Sequence, residues 1–198
     1  MTTPKSSEPP SAEIAPAIAA MLDREAIREC IFGYCRGIDR CDEAALRASY
    51  WPDATDCHGA YRGNASGFID AALPKLREAG RMIHHVGNLS IELFGGHAAA
   101  ETYFLAWQRD RGANGVEEET FLAGRYVDRF ERRSVEGRTE WRVAARTVVY
   151  DWVQPLGPAP AGSEAERFGR RTPIGAHRPD DPWYALLAEL REAHRPQT

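Results

Sequence analysis

Residues 81–111, RMIHHVGNLSIELFGGHAAAETYFLAWQRDR, decide the fold. From Arg81 to Phe94 apolar and polar residues alternate, the period of a strand with one buried face. Gly95-Gly96 breaks the run with a dipeptide suited to a hairpin turn. His97 to Arg111 follows, rich in aromatic and small apolar residues, so the two halves read as an antiparallel pair. The pattern then repeats. A Gly-bearing turn at 112–115 leads to a strand over 116–133, and a turn at 134–138 leads to a strand over 140–153.

Upstream the period is helical. Asp23 reads as the N-cap of a helix to Ile38, with Ile27, Ile31, Tyr34, Cys35 and Ile38 on one apolar stripe. Asp42 caps a second helix, Glu43 to Tyr50, which Pro52 ends because the residue before proline avoids helical backbone. A short strand over 54–58 and a turn near Gly63 lead to a third helix from Ser66 to Ala79. Phe68, Ala72, Leu73 and Leu76 face inward there, and Pro74 kinks it. Helices segregated from an antiparallel meander define the α+β class. Residues 1–18 are expected to be a disordered leader turning helical near Ala15, 19–155 the folded domain, and 156–198 an extension with a short helix over 182–192.

The composition narrows the function. The chain of 198 residues carries a net charge of −4 with the two signs interspersed, unlike the clustered basic surface that nucleic acid demands. No apolar run approaches the ~20 residues that span a bilayer, and the N-terminus lacks a signal-peptide core. The expected location is cytoplasmic, where Cys30, Cys35, Cys41 and Cys57 stay reduced.

Several polar residues stand where apolar ones are expected. Asp39 closes the first helix, a position the helix macrodipole disfavours. His84 and His85 are adjacent in a strand, so they point to opposite faces and one of them enters the concave side. Arg146 sits on a largely apolar strand face, where it either pairs with a buried carboxylate or stabilises an anion in a pocket. Tyr34 offers a phenol. A base, an orienting carboxylate, a phenol and a cation around one cavity make a set for proton abstraction. A metal site joining His58, His84 and His85 matches no ligand spacing, and neither metal nor cofactor is expected.

The stretches DREAIRECIFGYCRGIDRCDEAALRASYWPDA, IHHVGNLSIELFGGHAAAETYFLAW, AGRYVDRFERR and WRVAARTVVYDWVQPL resemble SnoaL-like proteins of the nuclear transport factor 2-like superfamily. The pattern is nearest to the branch of the dehydrochlorinase and scytalone dehydratase-like proteins. The resemblance implies a cone-shaped, curved antiparallel or mixed sheet wrapped around three N-terminal helices. It implies a catalytic Asp39 in GIDR, a His84 in IHHVGNL with Asn88 on its face, and an Arg146 in the W-x-x-x-x-R run. The branch's lysine falls on Tyr34, which suits loss of a hydroxyl better than loss of a halide. The implied activity is that of a lyase or isomerase on a small hydrophobic cyclic molecule, with Tyr50, Trp51, Asn88, Phe104, Trp107 and Phe121 around the substrate. The alternative is a non-catalytic binding or assembly module of the same fold. Apolar residues on both faces of the last strand call for cover by other copies of the chain, and the resemblance implies a homotrimer, with a homodimer next.

Overall fold

A computed structural model describes residues 11–112, 115–160, 162 and 174–195. Helix α1 runs Ser11–Asp39 and α2 Glu43–Ala48. Strands β1, Tyr50–His58, and β2, Tyr61–Asn64, precede α3, Ala65–Glu78. The meander is β3 Met82–Phe94, β4 His97–Arg111, β5 Glu117–Val135 and β6 Arg138–Pro158, and α4 spans Pro182–Ala193. The six strands form one curved, unclosed mixed sheet in the order β2-β1-β6-β5-β4-β3. Among the described residues only the β1–β6 pairing is parallel.

The whole expected stripe of α1 is buried, from Ile27 to Ile38. Asp23 is not its cap, because the helix starts at Ser11, inside the stretch read as leader, and runs on through Pro16. Asp23 instead accepts the Trp141 indole N–H at 2.7 Å and pairs with Arg132, tying α1 to the sheet. The N-terminal turns reach past the core, leaving Ile18, Met21 and Leu22 exposed. Residues 1–10 lie outside the described residues, so the leader expected there is not placed.

The second helix is shorter than its pattern suggests, and β1 begins already at Tyr50. Pro52 has no N–H to give a ladder, and the β1–β6 register shifts between Tyr50 and Thr55 around it. Asn64, not Ser66, caps α3, accepting the Gly67 N–H at 2.6 Å. Strand β6 continues five residues beyond Val153, pairing with the start of β5, into what reads as an excursion. Among the described residues no helix is long and apolar enough to cross a membrane.

The core lies between the three N-terminal helices and the concave sheet face. Ala98, Ala100, Thr102, Phe104 and Ala106 point inward from β4. The alternate residues Tyr103, Leu105 and Trp107 stand exposed on the outer face.

Candidate active site

Two elements meet at the centre of the site. Asp39 is the last residue of α1, after which Cys41 takes a positive φ of 49° and the chain turns into α2. Its carboxylate aims across at the start of β3. Oδ1 stands 2.7 Å from His84 Nδ1, and Oδ2 accepts the His84 backbone N–H at 3.1 Å. This two-point grip explains an aspartate at the unfavourable end of a helix. It fixes both the strand position and the ring plane, and a carboxylate beside Nδ1 selects the tautomer with the proton there. Nε2 then carries the free lone pair.

His84 lines a cavity of about 220 Å³ between α1, α3 and the sheet. Tyr34, His58, Phe68, Phe104, Tyr126 and Tyr150 form much of its wall. Tyr34 is fully buried, and burial raises its pKa well above the ordinary phenol value, so it remains a hydrogen-bond donor. Asp39 itself borders a neighbouring depression, shared with Met82 and Gln108 and edged by Gly175 and Ala176 of the C-terminal extension. That extension is anchored beside Asp39. Arg40 pairs with Asp181 at 3.0 Å, Arg178 with Asp42 at 2.6 Å, and the Tyr184 hydroxyl donates to Asp42 at 2.9 Å.

Arg146 takes the first of its two expected roles. It is wholly buried and does not line the cavity. Its Nε and Nη2 donate to the Asp128 carboxylate at 2.8 and 2.7 Å, and its guanidinium lies 4.0 Å from the Tyr34 ring centre and 4.3 Å from that of Tyr126. Although burial opposes its charge, Asp128 and the phenols around it hold its pKa well above the usual arginine value. Arg146 is therefore the floor beneath Tyr34 rather than a cation facing substrate.

The structure brings together Asp39, His84, Tyr34 and Phe104. Besides Arg146, five expected residues stand outside this cavity. Tyr50 is buried below it, with its hydroxyl on Asp56 at 2.7 Å. Trp51 has the guanidinium groups of Arg133 and Arg142 at 4.9 and 4.8 Å from its ring centre and donates its indole N–H to the Glu131 carbonyl. The β3–β4 register shifts between Val86 and Leu89, so Gly87 and Asn88 are both exposed, and Asn88 shares an outer hollow with His85. Trp107 and Phe121 are register partners on the outer face, their ring centres 5.0 Å apart. Strand alternation puts them opposite to Phe104.

Sequence reasoning missed His58, Tyr126 and Tyr150 as cavity residues. The available signal was period two: Tyr126 and Asp128 share a face in β5, and Asp56 and His58 share one in β1. Burial, with Arg146 and His84 adding to it, lowers the His58 pKa to about 3, so this ring is neutral. Cys30, Cys35, Cys41 and Cys57 are free thiols, and burial pushes Cys30 and Cys35 up to about 12. Among the described residues no group of three or more His, Cys, Asp and Glu side chains is arranged to hold a metal ion.

The model of the SnoaL-like domain matches residues 19–147, most of the chain, including Asp39, His84, Tyr34 and Phe104; Val148 and Tyr150 of the cavity wall and residues 174–195 lie beyond it. The protein belongs to the SnoaL-like family. Solved structures of the same fold include a type 2 hexachlorocyclohexane dehydrochlorinase, LinA, at 21% identity and a TM-score of 0.63, covering 74% of this chain and 99% of its own. A putative scytalone dehydratase from Novosphingobium aromaticivorans is 18% identical with a TM-score of 0.60, covering 74% and 98%. A protein of unknown function from Mycobacterium tuberculosis, 18% identical with a TM-score of 0.55, covers 91% and 93%. At these identities the likeness is one of fold. No curated protein matches the sequence. In this SnoaL-like chain the strap over residues 174–195 lies beyond the family match and closes against the Asp39 turn.

Proposed function

We propose that the protein is a cofactor-independent lyase or isomerase that removes a proton from carbon in a small hydrophobic cyclic molecule. The observation that carries this reading is the double contact of Asp39 with His84 at the wall of a closed-in aromatic cavity. An imidazole held by a carboxylate on Nδ1 presents Nε2 as a base, and the cation formed on proton uptake stands beside that carboxylate. The dehydrochlorinase and the putative dehydratase of the same fold are named for eliminations, which supports the class without naming the substrate.

In a dehydration, Nε2 of His84 takes the proton on carbon and the C–H electron pair becomes the new double bond. The hydroxyl leaves with its electron pair while the Tyr34 phenol donates a hydrogen bond to it. The proton held on His84 then passes to the departing hydroxide and yields water, so the site returns to its starting state. Arg146 touches none of the reacting atoms. It holds Tyr34 in place from below.

The apolar outer sheet face, with Tyr103, Leu105, Trp107 and Val127 exposed, suits cover by further copies of the chain, and the family resemblance supports a trimer before a dimer. The experiment is turnover of cyclic β-hydroxy ketones followed by enone absorbance. Wild type forms the enone, and His84→Ala slows it by roughly 10²–10⁴-fold. A protein that binds these compounds and leaves them unchanged is a binding module, and the enzymatic reading fails.

A further inference from the structure

The cavity holds a second histidine that the dyad does not use. His58 ends β1, its ring stacked on Phe68 with centres 4.4 Å apart and planes 16° from parallel. Tyr150 stands edge-on at 6.1 Å, so packing fixes the plane. Two residues back on the same face lies Asp56. One of its carboxyl oxygens accepts the Tyr50 hydroxyl at 2.7 Å, and the other lies 3.7 Å from His58 Nδ1, too far for a hydrogen bond. Both that oxygen and Nδ1 are sealed from solvent without a hydrogen-bond partner. A lone pair on Nδ1 would face the oxygen and be repelled, whereas an N–H dipole is attracted. The proton therefore resides on Nδ1, and Nε2, the other polar atom of the ring, is an acceptor.

We infer that His58 is a recognition residue, whose Nε2 accepts a hydrogen bond from a hydroxyl group of a neutral cyclic ligand in this cavity. The ring cannot share the task of His84. It has no carboxylate within hydrogen-bond reach, and its buried setting beside Arg146 and His84 keeps it uncharged. Two histidines across one cavity are thus pushed to different roles, one a base and one a fixed neutral acceptor. Phe68, stacked on the ring, and Leu76 and Val148 of the same cavity wall are apolar, so a ligand that covers Nε2 without offering a donor leaves it unpaired. The volume of about 220 Å³ admits one or two fused rings. This inference rests on the cavity being the ligand site, as in the proposed function, but not on any chemistry there.

Binding without turnover tests it. The probes are 2-naphthol, which donates and accepts, 2-methoxynaphthalene, which only accepts, and naphthalene, titrated calorimetrically into the full chain at neutral pH. Wild type should bind 2-naphthol roughly tenfold more tightly than the ether, the effect of one buried acceptor paired or left unpaired. His58→Phe, which keeps the stack on Phe68, should bring the two within about twofold while naphthalene affinity holds; His58→Leu gives the same readout if the larger ring distorts the fold. His84→Ala should keep the wild-type preference, which separates this inference from the proton-abstraction reading. Equal affinity of wild type for 2-naphthol and its ether, a preference that survives in both His58 variants, or no 2-naphthol binding overturns it.

Discussion

Replacing Arg146 with Met leaves the Asp128 carboxylate fully buried with no cation beside it. Both side chains are 0% exposed in the structure, and the pair is bidentate at 2.7–2.8 Å, so neither charge has water to fall back on. Removing one member of such a pair typically costs about 3–5 kcal/mol. Loss of the cation from between the Tyr34 and Tyr126 rings adds to that, at roughly 0.5–2 kcal/mol for each stacked ring. The ion-pair term alone corresponds to a fall in melting temperature of roughly 6–20 °C for a domain of this size. The assay is urea unfolding followed by tryptophan fluorescence, in which the midpoint should drop with an unchanged slope. The double variant Asp128→Leu/Arg146→Met should recover most of the loss, since a buried pair exchanged for apolar groups is often neutral. An Arg146→Met protein as stable as wild type, yet unable to bind ligand, would refute the reasoning and return Arg146 to the cavity.

Three further outcomes follow from the same geometry. Asp42→Ala removes the N-cap of α2 together with the anchor of Arg178 and Tyr184, so residues 174–195 should become sensitive to limited proteolysis and stability should fall by about 1–2 kcal/mol. His58 binds a proton near pH 6.5 when unfolded but only near pH 3 when folded, so the unfolded state takes up more protons as pH falls. Stability should therefore drop below pH 6.5 by up to about 1.4 kcal/mol per pH unit from this group, and His58→Phe should flatten that slope in denaturation curves at pH 7, 6 and 5. Gly124→Ala would place a Cβ 2.1 Å from the Val149 carbonyl oxygen and 3.0 Å from the Phe104 ring. The backbone carbonyl cannot yield as a flexible side chain would, so β5 and β6 must part locally, with a loss of about 1–3 kcal/mol in thermal melts.

The fold was legible because its signals are periodic. The α1 stripe from Ile27 to Ile38 and the alternation along β3 to β6 each repeat over many residues, and every residue expected in the stripe is buried. What failed depended on single residues breaking a period. A bulge after Val86 sent Asn88 outward, although strict alternation places it beside His84. Trp107 and Phe121 are aromatic like the cavity wall, but alternation from Phe104 puts Trp107 on the opposite face. The dyad was legible from family pattern and from the awkwardness of an aspartate at a helix end. The partner of Arg146 was not, because Asp128 lies 18 residues away and meets it only through the β5–β6 register. The helix of the C-terminal strap was legible, but its docking beside Asp39 was not, since its contacts with Arg40 and Asp42 are polar pairs between distant segments.

The central claim is that His84, held by Asp39, takes a proton from carbon. The most direct measurement is exchange of the α-hydrogens of 2-tetralone, a neutral bicyclic ketone, in deuterated buffer, followed by proton NMR. It needs no leaving group and isolates the proposed step. Wild type should accelerate exchange over buffer by roughly 10²-fold or more, His84→Ala should fall to the buffer rate, and Asp39→Asn should lose most of the acceleration because an amide cannot stabilise the imidazolium. No acceleration by wild type, or exchange by His84→Ala at the wild-type rate, would contradict the account.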